Sequence, residues 1–325
     1  MTNPRHCGYR RGVWRRCFTP RDGFGNISAM RSSYGFESRA YLLDVTDRCP
    51  NRRTMQELVD VLARFGYNEF YLLDAAEARE APLDTAKTEA YCRMQGIDFG
   101  VVGRDRLREL EGDPKTVAAP TFAARSLCGR IEEMRVAMER AEEAGRARKA
   151  ERFLVTDLSD GYAWHPLCVS LPGIVLGGNM MTAGHVAAKM DLEKDLCSVM
   201  DLPVGGLLQR LGTLYLRGGA MRPDSSEYFN ILAGDVGYSR HPGITQFVLD
   251  DVSAVARGAR IALERWVDRS DWAKEISYAA LLLECACHRR DERRLREVRD
   301  MHGHVWRMRF EPEGRVESLS RLPRF

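Results

Sequence analysis

Residues 38 to 74 read SRAYLLDVTDRCPNRRTMQELVDVLARFGYNEFYLLD, and this stretch decides the fold class. Residues 40–45 form a short apolar run that predicts a strand, and turn-forming residues at 46–50 end it. A helix is predicted next, because apolar side chains recur at intervals of three and four residues, at Met55, Leu58, Val59, Leu62 and Phe65. Gly66 then suits a helix C-cap, and residues 70–73 predict a second strand. A strand–helix–strand unit of this size indicates a parallel sheet and therefore an α/β protein.

The same criteria predict further elements along the chain. An apolar run predicts a third strand at residues 97–102. Beyond residue 191 the apolar spacing is helical, most clearly at residues 253–267, 272–286 and 291–305. The sequence Asp224-Ser225-Ser226-Glu227 resembles a capping box that opens another helix.

This pattern divides the chain into three regions. Residues 1–36 are rich in arginine and lack periodicity, so we expect a poorly ordered segment. Residues 37–190 are expected to form a (β/α) domain, and residues 191–325 an all-helical region that packs on it. The arginines of the first region alternate with three aromatic residues, Tyr9, Trp14 and Phe18. That mixture also occurs in nucleic-acid-binding arms, but poor order is the favoured interpretation, and no nucleic-acid partner is predicted.

The composition is typical of a soluble, globular, cytoplasmic protein. Hydrophobic residues make up 44% of the chain and charged residues 29%, with a net charge of +3. No apolar run reaches the roughly 18 residues of a membrane-spanning helix, and the amino-terminal segment has no apolar stretch typical of a secretory signal. We therefore expect no membrane partner. The nine cysteines show no CxxC spacing, which indicates free thiols in a reducing compartment.

The sequence contains no pattern typical of a metal or cofactor site. Its histidines do not recur at the spacing of zinc ligands. The glycine pairs at 205–206 and 218–219 lack the preceding strand and the Lys-Ser/Thr of a phosphate-binding loop. We therefore expect neither a metal nor a cofactor.

Three separated segments share features with one enzyme family. In the first, Arg39 stands five residues before Asp44 in an apolar strand, followed by TDRCP at residues 46–50 and YNE at residues 67–69. The second reads FLVTDLSDG at residues 153–161 and continues with WHPL. The third reads WRMR at residues 306–309, with a glycine and a serine shortly after it. These segments resemble the family 20 glycoside hydrolases, the β-N-acetylhexosaminidases, over residues 39 to 319 with a gap in the middle.

The resemblance implies a (β/α)8 barrel that has lost its centre. A complete barrel of this type needs about 250 residues. By the resemblance, residues 116–119 correspond to the seventh strand and residues 153–157 to the eighth, so only residues 103–115 separate strands three and seven. The fourth, fifth and sixth units are then missing. We expect an incomplete TIM-barrel-like fold, and three outcomes stay open: an open sheet covered by the C-terminal helices, a second chain that completes the sheet in a homo-oligomer, or a chain that folds poorly.

The catalytic residues of the family lie in the missing part. Its members use the substrate's own acetamido group as nucleophile, and an adjacent Asp-Glu pair after strand four orients that group and protonates the leaving oxygen. In this chain Asp291-Glu292 belongs to an arginine-rich helical surface, and residues 109–113 have the wrong order. The aromatic walls of the family's site are replaced by FAAR at residues 122–125 and by Leu158. The resemblance therefore implies a protein without the catalytic acid.

Three sugar-facing residues of the family are retained. By the resemblance, Arg39, Asp157 and Asp160 would hydrogen-bond sugar hydroxyls. Trp164 lies on the loop after the last strand, where an exposed aromatic side chain could stack on a sugar ring. Each also has a structural interpretation: Arg39 could pair with Asp44, the two aspartates could cap the turn after the last strand, and the tryptophan could pack under its loop.

The favoured hypothesis is a truncated hexosaminidase-like protein that is catalytically inactive and binds N-acetyl amino sugars. A first alternative is residual glycosidase activity with Asp157 or Asp160 as a recruited acid, for which Asp157 and Asp74 would be the carboxylate pair. A second alternative is a structural or interaction protein that acts through its helical half.

Overall fold

Five parallel strands form one sheet in the computed structural model, which describes residues 35–74, 85–184, 190–218, 222, 224–234, 240–288 and 291–323. The strands in chain order are β1 (Ser38–Asp44), β2 (Glu69–Leu73), β3 (Asp98–Val102), β4 (Thr116–Pro120) and β5 (Arg152–Asp157). Their order across the sheet is β3-β2-β1-β5-β4, and every neighbouring pair is parallel. The predicted α/β class and parallel sheet are confirmed.

Helices separate the strands and make up the rest of the regular structure. Those within the α/β part are α1 (Arg52–Arg64), α2 (Ala86–Met94), α3 (Arg104–Gly112), α4 (Ile131–Arg148) and α5 (Leu171–Ala183). The remainder are α6 (Leu192–Met200), α7 (Gly205–Leu211), α8 (Glu227–Ala233), α9 (Gln246–Val267), α10 (Asp271–Cys287), α11 (Glu292–Arg309) and α12 (Arg315–Arg321). The helix expected after residue 224 is therefore present. The side chain of its N-cap, Ser226, accepts a hydrogen bond from the Phe229 N–H. A capping box would need a glutamate at the position of Phe229, so the predicted capping box is not formed.

Helix α1 begins and ends where its sequence indicates. The Asn51 side chain accepts a hydrogen bond from the Thr54 N–H at 3.0 Å, which caps the first turn. Gly66 follows the last turn with a φ of 77°, a left-handed conformation that glycine adopts without steric cost. The apolar face predicted from the sequence is buried against the sheet.

The two faces of the sheet are covered by different helices. Side chains alternate along a strand, so Tyr41 and Leu43 of β1 lie on one face, in the main core with α1, α4 and α5. Ala40 and Leu42 lie on the other face, where they pack with Leu154 and with two leucines of α3, Leu107 and Leu110. Helix α3 crosses from one edge of the sheet to the other and covers this second face.

The sheet is open in the part of the chain that the structure describes. Strands β3 and β4 each have a single neighbouring strand, at opposite edges. A barrel of this kind needs eight strands, and five that are covered on both faces do not close. Within the described residues the sheet is open and covered by helices, and it does not close into a barrel.

The helical region contacts the α/β part closely. Residues Tyr34–Phe325 form one compact unit. The N–H of Asn51 donates to the carbonyl of Arg309 at 2.9 Å, and Pro50 forms an isolated antiparallel bridge with Phe310. Residues 1–34 of the predicted N-terminal segment lie outside the described residues, whereas Phe36 is buried with its ring centroid 5.2 Å from that of Phe153. Among the helices described, none has both the length and the apolar character needed to cross a membrane.

Candidate functional site

The carboxyl ends of β1 and β5 form the candidate site. Ligands of open parallel sheets bind outside this edge. Here the two strands and the loops after them surround a small depression with room for about one water molecule. Its polar lining residues are Asp44, Arg48, Asp157, Ser159 and His165.

Asp157 ends β5 and is bound by two hydroxyl groups of the protein. Its Oδ2 accepts a hydrogen bond from the Tyr41 hydroxyl at 2.8 Å, and its Oδ1 accepts one from Thr121 at 2.8 Å. The residue is only 4% exposed. Burial, together with the adjacent carboxylate, holds the pKa of Tyr41 well above its usual value, so this hydroxyl stays a donor. Both oxygens of Asp157 are therefore engaged from inside the protein.

Asp160 organises the turn after β5. It accepts hydrogen bonds from the backbone N–H groups of Arg125, Tyr162 and Ala163, at 2.8, 2.9 and 2.8 Å. The Nδ1 of His165 lies 3.7 Å from its Oδ2, which is an electrostatic contact rather than a hydrogen bond. Burial opposes ionisation of Asp160, but the histidine and the backbone donors outweigh it and hold the pKa of Asp160 below its usual value. This carboxylate stays ionised and caps the turn.

Two further aspartates join the loops that follow β1 and β5. Asp44 accepts from the Thr46 N–H at 2.9 Å and from the Ser159 N–H at 3.1 Å. Asp47 accepts from the Gly161 N–H at 2.8 Å and from the Ser159 hydroxyl. The sequence analysis did not assign this role, although Asp-x-Thr/Ser turn chemistry at residues 44–47 was the available signal.

Arg48 is the cation of the site, and the sequence analysis did not single it out. Its guanidinium donates to the His165 carbonyl and lies 4.7 Å from the centre of the Phe310 ring. Burial lowers the pKa of Arg48, whereas Asp157 and Asp160 act in the opposite direction. Arg48 thus offsets the charge of Asp157, at the end of β5, and of Asp160, in the turn after it.

Arg39 lies near the start of β1, at the amino-terminal ends of the strands and away from the candidate site. Its Nε donates to the Gly66 carbonyl at 2.5 Å and its Nη1 to the Phe36 carbonyl at 2.9 Å. Leu43, four residues further along β1, is the residue paired with Asp157, so the two predicted ligands are about 13 Å apart along the strand direction. The structure does not bring Arg39 and Asp157 together.

Trp164 is 1% exposed and lies beneath the loop after β5. Its indole N–H donates to the Ser318 carbonyl at 3.1 Å, and its ring centroid lies 4.8 Å from that of Tyr162 and 5.6 Å from that of Phe229. In this position the indole has no face open to a sugar, which matches the structural interpretation of this residue.

Asp74 follows β2 and is separated from Asp157 by the whole of β1. Its N–H donates to the Val102 carbonyl at 3.1 Å. Two strand spacings place the backbones of the two aspartates at least about 10 Å apart. The carboxylate of Asp157 points to Tyr41 and Thr121 rather than across to Asp74.

A second polar cluster lies deeper, between the helices. Arg309 is fully buried and donates to Glu275 and to Glu57, while Glu275 also accepts from the Cys168 N–H at 2.7 Å. Burial raises the pKa of Glu275, with Arg309 acting against it. The Arg309 guanidinium lies 4.2 Å from the centre of the Trp272 ring. The WRMR segment of the resemblance thus supplies a buried structural cation.

Within the described residues, no group of three or more His, Cys, Asp or Glu side chains could hold a metal ion. The chain matches no model of a protein family, and no curated protein is detectably similar to it. The site itself consists of four carboxylates and one arginine that hold together the loops after β1 and β5.

Proposed function

We propose that this chain is a hexosaminidase-like protein that does not hydrolyse glycosides, and that its α/β part is a shortened TIM barrel. The strand order supports this proposal. The first and last strands of a closed barrel are neighbours, so a barrel without strands four to six would leave the order three, two, one, eight, seven. The observed order β3-β2-β1-β5-β4 is the same when β4 and β5 take the places of strands seven and eight.

The observation that carries the absence of catalysis is the state of the carboxylates at the carboxyl edge. A glycosidase needs one carboxyl group that protonates the leaving oxygen and a second group on the other side of the bond. Here the four carboxylates that line or adjoin the depression, those of Asp44, Asp47, Asp157 and Asp160, all accept hydrogen bonds from the protein's own donors. The depression beside them is too small for a sugar ring.

The packing of α3 supports the same conclusion. In a barrel, the sheet face opposite the outer helices lines the interior. In this chain Leu107 and Leu110 of α3 cover that face and pack on Leu42 and Leu154. The two leucines of a mainly charged helix thus occupy the space above which a barrel enzyme would build its site.

The test is hydrolysis of aryl N-acetylglucosaminide and aryl N-acetylgalactosaminide by the full chain, beside an Asp157→Asn variant. We expect no turnover above background from either protein. Turnover by the wild type that is lost in Asp157→Asn would overturn the proposal and favour the residual glycosidase, with Asp157 as its acid.

A second candidate function is binding of an N-acetyl amino sugar at the carboxyl edge without hydrolysis. A sugar would lie over the mouth of the depression and not inside it, where Arg48 and Asp44 line the depression and Leu158 is 37% exposed beside them. The free sugars should then raise the melting temperature of the wild type but not of Leu158→Arg, which places a bulky charge at the rim. Arg39→Ala, at the opposite edge, serves as the control that keeps the shift. No shift with either sugar would remove this function and leave the interaction protein as the remaining hypothesis.

A further inference from the structure

Helix α9 presents an apolar face to solvent. Its other face is buried against α10, through residues such as Leu249, Val252 and Leu263. On the outward side Phe247 is 82% exposed and Ile261 is 58% exposed. Three further outward positions carry small residues that are exposed as well, Ala254, Gly258 and Ala262. At 100° per residue all five lie within about 60° of Gly258 around the helix, so they form one stripe.

Charged residues complete this stripe symmetrically. Asp251 and Arg265 stand seven residues before and after Gly258, and both lie within about 20° of it around the helix. Asp251 is held at the surface by an ion pair with Arg217 at 3.0 Å, and Arg265 lies with its guanidinium 5.2 Å from the Trp266 ring. Ala254 and Ala262 are likewise four residues before and after Gly258. The stripe therefore has the same spacing on both sides of its centre, with opposite charges at the two ends.

We propose that this stripe is a homodimer interface, in which α9 packs antiparallel against α9 of a second copy of the chain, with the twofold axis at Gly258. In this arrangement Asp251 of one copy faces Arg265 of the other, and the pair forms twice. Ala254 faces Ala262 in the same way. Phe247 lies against the turn at residues 268–269 that follows α9 of the second copy.

The small residues at the centre allow the two helices to approach closely. A Cβ atom at Gly258 would meet nothing within 4 Å of its own chain, so the space above this residue is open. Helices whose contact is made by small side chains pack at the short end of the usual range, about 8 Å between axes. Such an approach brings Phe247 and Ile261 into contact with the second copy and removes both from water.

A second copy fits this face better than another partner, because the order of charges is self-complementary. A helix from an unrelated protein would have to supply a positive charge opposite Asp251 and a negative charge opposite Arg265, whereas a second copy of α9 supplies both. The contact is a single helix about 33 Å long, which buries less than the roughly 800 Å² per partner of a standard interface. The dimer is therefore expected to form in a concentration-dependent manner.

Sedimentation velocity of the full chain over a wide range of concentration tests the proposal. The wild type should convert from monomer to dimer, and Arg265→Asp should raise the dissociation constant about tenfold or more, because it places like charges opposite each other twice. Asp251→Arg should weaken the dimer similarly, and the double variant Asp251→Arg/Arg265→Asp should bind more tightly than either single variant. Glu264→Lys is the matched control, since Glu264 is exposed on α9 but lies about 120° away from Gly258.

Gly258→Arg separates dimerisation from folding. Replacing glycine inside a helix favours the helix, so the monomer should melt at the same or a higher temperature. Two arginines on the twofold axis should at the same time abolish the dimer. A wild type that stays monomeric at every concentration would overturn the proposal. So would a dimer that Arg265→Asp leaves unchanged, or a double variant as weak as the single ones.

Discussion

At the scale of single residues, the acidic side chains at the carboxyl edge were found from the sequence but their roles were not decided by it. An aspartate that binds a sugar hydroxyl and one that binds a backbone N–H have the same sequence signature, because both follow a strand and begin a turn. The difference lies in partners far along the chain, such as Tyr41 and Thr121 for Asp157. Trp164 is a similar case, since its packing against Phe229 depends on a helix some 60 residues away that the sequence does not place beside it.

The hydroxyl of Tyr41 is expected to stabilise the fold through Asp157. Tyr41→Phe removes one of the two donors of a buried carboxylate, and we expect a loss of about 2 kcal/mol in the free energy of unfolding, measured by urea denaturation. Tyr67→Phe is the matched control, because the Tyr67 hydroxyl donates to a neutral carbonyl, that of Ile174, at 2.8 Å. It should cost about 1 kcal/mol. Equal losses of unfolding free energy in the two variants would show that the charge of Asp157 does not strengthen its hydrogen bond with Tyr41.

His302 should make the protein less stable in mild acid. It is buried between the Tyr278 hydroxyl at 2.7 Å and the Ser318 hydroxyl at 3.1 Å, and burial lowers its pKa from 6.5 to about 3. Below pH 6.5 the unfolded chain takes up a proton on this residue and the folded chain does not. The free energy of unfolding should therefore fall by up to about 1.4 kcal/mol per pH unit as the pH is lowered.

The range from pH 6.5 to 5 isolates this effect, because most carboxylates titrate below it. Unfolding in urea at several pH values should show the slope in the wild type and a much smaller one in His302→Gln. His304→Gln changes an exposed histidine of the same helix and should keep the slope. A slope retained in His302→Gln would assign the acid sensitivity to another group.

At the scale of elements, most predicted strands and amphipathic helices have boundaries a few residues from those observed, whereas α9 begins at Gln246, seven residues before its predicted start. Helix α1 and strands β1 and β2 follow from local apolar patterns because each has one buried face or is buried on both. Strand β3 was also predicted from its apolar run, although none of its residues is fully buried, and β5 was identified by the resemblance. Among the helices of the α/β part, α2, α3 and α5 were not predicted. In α2 only Cys92 is buried. In α3 only Leu107 and Leu110 are buried, too few for a periodic signal. In α5 nearly every residue from Leu171–Ala183 is buried, so no polar face marks the helical repeat.

The contact between α4 and the sheet should be sensitive to a single methyl group. A Cβ at Gly145 would lie 2.6 Å from the Phe36 ring, which is held against Phe153, so Gly145→Ala should destabilise the protein by about 1 to 3 kcal/mol. Gly258→Ala in α9 meets open space and should stabilise it by up to about 1 kcal/mol, because alanine favours helix. Thermal and urea unfolding of the two variants compare the same chemical change with opposite expected signs. A gain in stability in both would contradict the close packing of α4 on Phe36.

At the scale of the whole molecule, the open sheet and the helical region are held together by buried charge. Arg309 of α11 donates to Glu57 of α1 and to Glu275 of α10. Sequence patterns did not reveal this, because the arginine-rich segment of α11 reads as a solvated surface when its tertiary partners are unknown. The strand order across the sheet is also a property of the whole molecule. The sequence analysis did not predict it, because no local pattern indicates which strands become neighbours.

Removal of Arg309 should therefore weaken both parts at once. Arg309→Met leaves Glu275 buried without its partner, and we expect a loss of about 3 to 5 kcal/mol in the free energy of unfolding. Arg93→Ala removes an exposed pair with Glu89 and should cost less than about 0.5 kcal/mol. Tryptophan fluorescence and circular dichroism should report one common transition in urea for the wild type. Separate transitions, or equal losses in the two variants, would show that the cluster does not couple the two regions.

Helix α3 and a further set of strands are mutually exclusive ways to shield the same apolar face. Residues 103–115 are the covalent link between the two edge strands, and the leucines of α3 hold this link across Ala40, Leu42 and Leu154. Additional strands inserted at this link would curve the sheet around the face that α3 now covers, so α3 would first have to leave it. The short connection at residues 103–115 therefore keeps this face filled by side chains. A longer insertion there would open a cavity in its place.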